Sequence, residues 1–145
     1  FQAALRELGD TVTRAERVEP ALNQLTPGGT ADTSSPRALA TDLRAYALGS
    51  ALPAAGRAQL KTWLVGNTTG DALIRSVAPT GWTVGDKTGS ADHGTRNDIA
   101  VIWRDTGKPI VLAVLTDHGA ADADPDDGLV AAAARAALRG LGALG

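Results

Sequence analysis

Two apolar runs decide the fold of this chain, Ile99-Ala100-Val101-Ile102-Trp103 and, a few residues later, Ile110-Val111-Leu112-Ala113-Val114-Leu115. They have the period and length of strands, and Asp105-Thr106-Gly107-Lys108 between them has the composition of a tight turn. Both runs are apolar on both faces, so neither face suits contact with water. The sequence therefore predicts an antiparallel hairpin within a sheet that is covered on both sides.

The full sheet is predicted to have three strands, at residues 82–88, 95–103 and 109–116. An alanine-rich helix from about Asp127 to Leu138 follows and is expected to cover one face of this sheet. A single helix covers only one face, and the chain has few aromatic residues to fill a second layer. We therefore expect strands or helices from outside these residues to complete the sheet and its packing.

The first half of the chain is predicted to be mainly helical. Helices are expected at residues 1–8, 36–48, 53–66 and 71–77. Ser35-Pro36 is a good helix start, because serine caps the free N–H groups and proline is tolerated at the first helical position. The third helix carries Leu60, Trp63 and Leu64 on one face.

A long segment from about residue 10 to 35 has no regular period and contains Pro20 and Pro27. Loops of this length are uncommon in compact domains and tend to be functional or disordered. Apolar residues at intervals argue against disorder; they are Val12, Val18, Leu22 and Leu25. We predict a packed loop that contains short helical turns.

Composition excludes several classes of function. The chain has 145 residues, a net charge of −2 and 43% hydrophobic residues, which fits one domain without the basic surface of a nucleic-acid binder. No apolar run approaches the roughly 20 residues that cross a bilayer, so no membrane span is predicted. Cysteine is absent and the two histidines, His93 and His118, lack metal-ligand spacing. No metal or other cofactor is expected.

The stretch Gly85-Asp86-Lys87-Thr88-Gly89-Ser90 places a lysine and two hydroxyl groups at the end of the first predicted strand. Such a strand end suits anion binding, although a solvated strand end is the simpler explanation of the triplet alone. Other motifs along the chain, taken together in their order and spacing, strengthen the interpretation as an anion-binding strand end. They are Arg17-Val18-Glu19-Pro20-Ala21-Leu22-Asn23, Asn67-Thr68-Thr69-Gly70-Asp71 and Gly94-Thr95-Arg96-Asn97-Asp98.

These motifs resemble the class A serine β-lactamases over nearly the whole chain. The signature set of those enzymes is Ser-x-x-Lys, Ser-Asp-Asn and Lys-Thr-Gly, and only the third occurs here. The sequence thus resembles the second half of such an enzyme, without its nucleophilic serine. It begins at Phe1 rather than Met, so we expect a piece of a longer chain that is inactive without the N-terminal half.

The resemblance implies roles for residues of the long loop. Glu19 would be the base that activates the deacylating water, and Asn23 would hold that water in place. Arg17 and Asp32 would form an ion pair that closes the neck of the loop, and the Glu19–Pro20 bond is a candidate cis peptide. Without the resemblance, Glu19 would be interpreted as an exposed loop residue.

The resemblance also assigns the strand end to the substrate. Lys87 and Thr88 would bind the substrate carboxylate, with Lys87 also stabilising negative charge during acylation, and Gly89 would let the ligand approach the backbone. The backbone N–H of Ser90 would form half of an oxyanion hole. Arg96 on the next strand would add a forked carboxylate contact, the alternative being a cross-strand partner for a surface aspartate.

The sequence is therefore predicted to have an α/β (α+β) fold of the serine β-lactamase/penicillin-binding transpeptidase type, here a partial domain. Residues 1–80 would belong to the helical subdomain with its Ω-type loop (about 10–35), and residues 81–145 to the α/β subdomain. The partners implied are a β-lactam substrate or inhibitor and the N-terminal half, with an otherwise monomeric protein. The family is secreted or periplasmic, although no leader is visible in this chain.

Two other functions remain open at this point. A penicillin-binding DD-peptidase shares the Lys-Thr-Gly strand. Such enzymes keep their acyl-enzyme, whereas the Glu19 to Asn23 loop would serve to hydrolyse it, so this loop argues against a DD-peptidase. A lactamase-like module that binds ligands without turnover is the alternative from another class. His93 and Ala91 depart from residues common in the family and could alter substrate preference.

Overall fold

The computed structural model describes residues 1–24 and 26–145, so the predicted apolar anchor Leu25 lies outside the described residues. Within these residues, four α-helices and three strands follow one another in the order α1 (Gln2–Glu7), α2 (Pro36–Ala47), α3 (Ala54–Val65), β1 (Thr83–Ala91), β2 (Thr95–Trp103), β3 (Ile110–Thr116) and α4 (Asp127–Gly140). Two short 3-10 helices lie at Ala21–Asn23 and Ile74–Val77. The predicted combination of helices and a small sheet is confirmed.

The three strands form one antiparallel sheet in the order β1-β2-β3. In its register Thr88 lies opposite Asp98, and Ser90 lies opposite Arg96. The end of β1 that carries the Lys-Thr-Gly triplet is therefore next to the start of β2. The consecutive hairpins predicted from the sequence are confirmed.

One face of the sheet is covered by α4 and the 3-10 helix Ile74–Val77. The buried residues of this core layer are Leu73, Ile74, Val77, Val84, Ala100, Ile102, Val114, Val130, Ala134 and Leu138. Alternate residues of β2 point to the two faces, so Ala100 and Ile102 belong to this layer whereas Val101 belongs to the other.

The second face is covered by α2 and α3, which bring Leu43, Ala47 and Leu64 onto Val101. Helices of this chain thus cover the second face, and completion of the sheet and its packing by strands or helices from outside these residues stays a prediction. Aliphatic side chains of two amphipathic helices fill the layer without many aromatic residues, and Trp103 packs at its edge.

Two local predictions also need correction. Trp63 does not share the buried face of α3: its side chain is 68% exposed, whereas Leu64 is 7% exposed, because the inward stripe of this short helix is narrow. The helix predicted at residues 71–77 is only a 3-10 helix, since the Ile74 N–H donates to the Asp98 carboxylate at 3.1 Å.

The predicted start of α2 is confirmed in detail. Ser35 is the N-cap, with its Oγ accepting a hydrogen bond from Ala38 N at 3.2 Å, and Pro36 occupies the first helical position. Asp126 caps α4 in the same way, accepting from Leu129 N at 2.9 Å. These caps set where the helices begin relative to the sheet.

Candidate functional site

Arg17 and Asp32, the pair that the resemblance implied, lie together at the neck of the long loop. Arg17 Nε lies 2.5 Å from Asp32 Oδ2, and Asp32 Oδ1 also accepts hydrogen bonds from the Glu16 and Arg17 N–H groups at 2.8 and 3.0 Å. Backbone and guanidinium hydrogen bonds from Arg17 lower the pKa of Asp32 below its ordinary value. Arg17 Nη2 further binds the Gln24 carbonyl at 2.9 Å.

The predicted base and its partner lie together on this loop. Asn23 Nδ2 donates to Glu19 Oε2 at 2.5 Å, and the Glu19–Pro20 peptide bond is cis. The carboxylate of Glu19 is exposed, so water can reach it. The Asp92 N–H points to the Asn23 carbonyl at 3.5 Å, which places this part of the loop beside the turn between β1 and β2.

The Lys-Thr-Gly end of β1 is accessible on the same side. Lys87 is exposed and its Nζ donates to the Thr88 carbonyl at 2.7 Å. A Cβ placed on Gly89 would meet only Asn97 Cβ, at 3.9 Å, so the space in front of this residue is open. That space would admit a ligand to the backbone of the strand.

The guanidinium of Arg96 binds three other groups of this chain. Its guanidinium donates to Asp127 Oδ1 at 2.5 Å, to Ser90 Oγ at 2.9 Å and to the Thr69 carbonyl at 3.3 Å, and its side chain is 15% exposed. The alternative interpretation, in which Arg96 pairs with a surface aspartate, thus has a candidate in Asp127 on α4. The Nη atoms still lie beside Ser90, so a role in carboxylate binding stays a prediction.

A cavity of about 360 Å³ lies between the loop and the strand ends. Its walls include Arg17, Asn23 and Asp32 from the loop, and Gly89 and Ser90 from β1. The structure therefore brings these predicted residues around one space. The other predicted site residues do not line this cavity; they are Glu19, Lys87, Thr88 and Arg96.

Two contacts near the site were not predicted. Thr69 Oγ1 lies 2.6 Å from Thr88 Oγ1, and Asn67 links Thr69 to the buried Asp86. The sequence contained Asn67-Thr68-Thr69-Gly70-Asp71 as a motif, but only the folded chain shows which of these residues faces β1.

Two buried carboxyl groups lie behind the strand end. Asp86 is fully buried and paired with Arg75. Asp98 is also fully buried; burial raises its pKa to about 7, with a further contribution from the charge of Asp86. Asp98 Oδ1 has no hydrogen-bond partner among the described residues. These groups lie behind the site rather than at its exposed rim.

The turn between β1 and β2, which includes His93 and follows Ala91, has a strained backbone. His93 has φ 63°, and its carbonyl accepts a hydrogen bond from His118 N at 2.8 Å. The backbone of this turn is thereby tied to the segment after β3, next to Asp92 and the loop.

Comparison with known proteins identifies the family of the chain. The sequence profile of the Beta-lactamase enzyme family matches residues 1–141. The chain belongs to the β-lactamase family. Among its relatives are Beta-lactamase 3 of Bacillus cereus, 52% identical over 97% of this chain, and the Beta-lactamase of Bacillus licheniformis, 54% identical over 94% of it. The Beta-lactamase of Amycolatopsis lactamdurans is 53% identical over 98%.

The chain spans 45% of the length of the two Bacillus relatives and 47% of the length of the Amycolatopsis relative. This share agrees with the prediction that the sequence resembles half of such an enzyme. In the described part of the chain, residues 1–24 and 26–145, no helix has the length and apolarity needed to cross a bilayer.

Proposed function

We propose that this chain takes part in hydrolysis of the β-lactam amide bond of penicillin- and cephalosporin-type antibiotics through a serine acyl-enzyme. It would supply the deacylation base and the Lys-Thr-Gly wall of the substrate cleft. The observation that carries this proposal is the placement of the Glu19–Asn23 pair, on a loop closed by Arg17 and Asp32, beside the turn that follows Ser90.

The chemistry follows from these positions. A serine attack opens the β-lactam ring and forms an ester, and water must then cleave that ester to free the enzyme. Glu19 would remove a proton from this water, while the amide of Asn23, which lies against the carboxylate, would help to hold the water in place. A base on a loop acts well only if the loop is fixed, which is the role proposed for Arg17 and Asp32.

The strand end would bind the other part of the substrate. Lys87 supplies a positive charge and Thr88 a hydroxyl for the substrate carboxylate, with Arg96 as a further contact. The backbone N–H of Ser90 would stabilise the negative oxygen that develops at the attacked carbonyl. The nucleophile and the second oxyanion N–H would come from an N-terminal half, since no Ser-x-x-Lys occurs in these 145 residues.

We further propose that the protein is a class A enzyme with an Ω-type loop, because its glutamate and asparagine are four residues apart on that loop. Residues 1–80 and 81–145 would contribute to the helical and α/β subdomains. A secreted or periplasmic location is proposed because it would bring the enzyme to its β-lactam substrate outside the cytoplasm.

The test joins this chain to the N-terminal segment of its Bacillus licheniformis relative and measures hydrolysis of a chromogenic cephalosporin. Turnover is expected in the joined protein and not in the chain alone. Glu19→Ala should lower turnover by roughly 10²- to 10⁴-fold, the usual contribution of a general base, and acyl-enzyme should accumulate in the mass spectrum. Glu16→Ala removes an exposed glutamate from the same loop and should leave turnover unchanged.

Full turnover by the Glu19→Ala protein would contradict the assignment of the base. Accumulation of acyl-enzyme in the unaltered protein would favour the DD-peptidase alternative. Ligand binding without acylation would favour the non-hydrolytic module.

A further inference from the structure

Thr69 and Thr88 meet on the rim of the candidate site although they belong to different segments. Thr88 is on β1, and Thr69 is in the turn before the 3-10 helix Ile74–Val77. Their hydroxyl oxygens are 2.6 Å apart. Thr88 is the hydroxyl proposed for the substrate carboxylate, so any group that holds it affects substrate binding.

The turn that carries Thr69 is held by a buried ion pair. Asp86 is fully buried and accepts hydrogen bonds from Arg75 Nε, at 3.0 Å, and from Asn67 Nδ2. A Cβ on Gly70 would lie 1.9 Å from Asp86 Oδ2, so the turn is seated directly against this carboxylate. Asn67 and Gly70, which lie on either side of Thr69 in the sequence, therefore hold its turn against Asp86.

The same contacts orient the hydroxyl groups. A carboxylate only accepts hydrogen bonds, so the amide nitrogen of Asn67 faces Asp86 and its oxygen faces outward. This oxygen accepts from Thr69 Oγ1 at 2.9 Å. A hydroxyl has one proton to donate, so in the absence of ligand Thr88 is the donor to Thr69.

We propose that Thr69 is a positioning residue, which holds the hydroxyl of Thr88 on the rim and strengthens its hydrogen bond to the substrate carboxylate. This inference rests on the proposed function. When a carboxylate binds, Thr88 turns its O–H toward the ligand, and Thr69 turns its own O–H from Asn67 to Thr88. Hydrogen bonds in such a series polarise one another, so the bond to the carboxylate gains strength.

The test replaces Thr69 by Val, which has the same shape and no hydroxyl, in the joined protein described above. The KM for a cephalosporin with a free carboxylate should rise by about 3- to 10-fold, the loss expected for one hydrogen bond, with kcat within about twofold. The KM for the methyl ester of the same cephalosporin should not change. Thr69→Ser should restore the original KM, because it returns the hydroxyl.

Thr62→Val is the matched control, because the Thr62 hydroxyl is exposed on α3 and binds only its own helix at the Ala58 carbonyl. It should leave both KM values unchanged. In a Thr88→Val background, Thr69→Val should have no further effect, as expected for two residues that act through one contact. Thr69→Ala repeats the test if the valine disturbs the turn.

An unchanged or lower KM for the free carboxylate, or an equal rise for acid and ester, would overturn the role of Thr69 while leaving the proposed function intact. Absence of hydrolysis in the unaltered joined protein would overturn both.

Discussion

At the scale of single residues, Asp42 has an unusual environment. It lies in α2 and is 6% exposed, next to the carboxylate of Asp10. Burial raises the pKa of Asp42 to about 6, the hydrogen bond and the charge of Asp10 add to this, and the charge of Arg6 opposes it. The pKa of Asp10 is lowered to about 2, chiefly by the hydrogen bond from the Thr13 side chain. Asp42 is thus the member of the pair that binds a proton when the pH falls below about 6.

Replacement of Asp42 by Asn should change the dependence of stability on pH. The folded pKa of Asp42 lies above its ordinary value of 3.8, so its contribution to stability is full below pH 3.8 and is lost as the pH rises through about 6. Asn keeps a donor toward Asp10 without titrating. Asp42→Asn should therefore raise the free energy of unfolding by about 2–3 kcal/mol at pH 7.5 and by only about 1 kcal/mol at pH 4.5.

Urea denaturation followed by circular dichroism at the two pH values measures this difference. Asp122→Asn, at an exposed position, is the matched control and should have the same small effect at both pH values. Equal stabilisation of Asp42→Asn at pH 4.5 and 7.5 would contradict the assigned protonation.

At the scale of elements, the long loop depends more on Asp32 than on Arg17. Asp32 accepts from two backbone N–H groups as well as from the guanidinium, and it adopts a positive φ of 54° that closes the neck. Asp32→Ala should therefore speed hydrogen exchange at the Glu16 and Arg17 amides, while Arg17→Ala should leave the Glu16 amide protected. NMR or mass spectrometry of exchange measures both.

Arg14→Ala is the control for this comparison, because the side chain of Arg14 makes exposed contacts, with Glu16 at 3.8 Å and with Thr30 Oγ1 at 3.1 Å. It should leave exchange at the two amides unchanged. Equally fast exchange of the Glu16 and Arg17 amides in the Asp32→Ala and Arg17→Ala proteins would show that the guanidinium alone closes the loop.

At the scale of the whole molecule, the sheet is stabilised by helices on both faces, and α4 packs on one of them through Val130, Ala134 and Leu138. Leu138 is fully buried against the sheet layer, whereas Leu141, three residues later, is 65% exposed. Leu138→Ala should lower the free energy of unfolding by about 2–5 kcal/mol, because it leaves a cavity, and Leu141→Ala should change it by less than about 0.5 kcal/mol.

Thermal or denaturant unfolding of the two variants measures the contrast. Similar losses at the two positions would mean that α4 does not pack on the sheet through the face seen here.

Much of the fold followed from local patterns. The apolar runs of β2 and β3, the cap and proline at Ser35-Pro36, and the turns between the strands each act over a few residues, so the sequence alone determined these elements. The motif Glu19 to Asn23 and the Lys-Thr-Gly triplet likewise identified candidate residues, because their chemistry and spacing are readable without coordinates.

Which distant residues meet depends on the packing of the folded chain. The exposure of Trp63, the cover of the second face by α2 and α3, and the contact of Thr69 with Thr88 depend on how helices pack on the sheet. These contacts join segments far apart in the chain, and burial and hydrogen bonding across the whole molecule select them rather than any local preference.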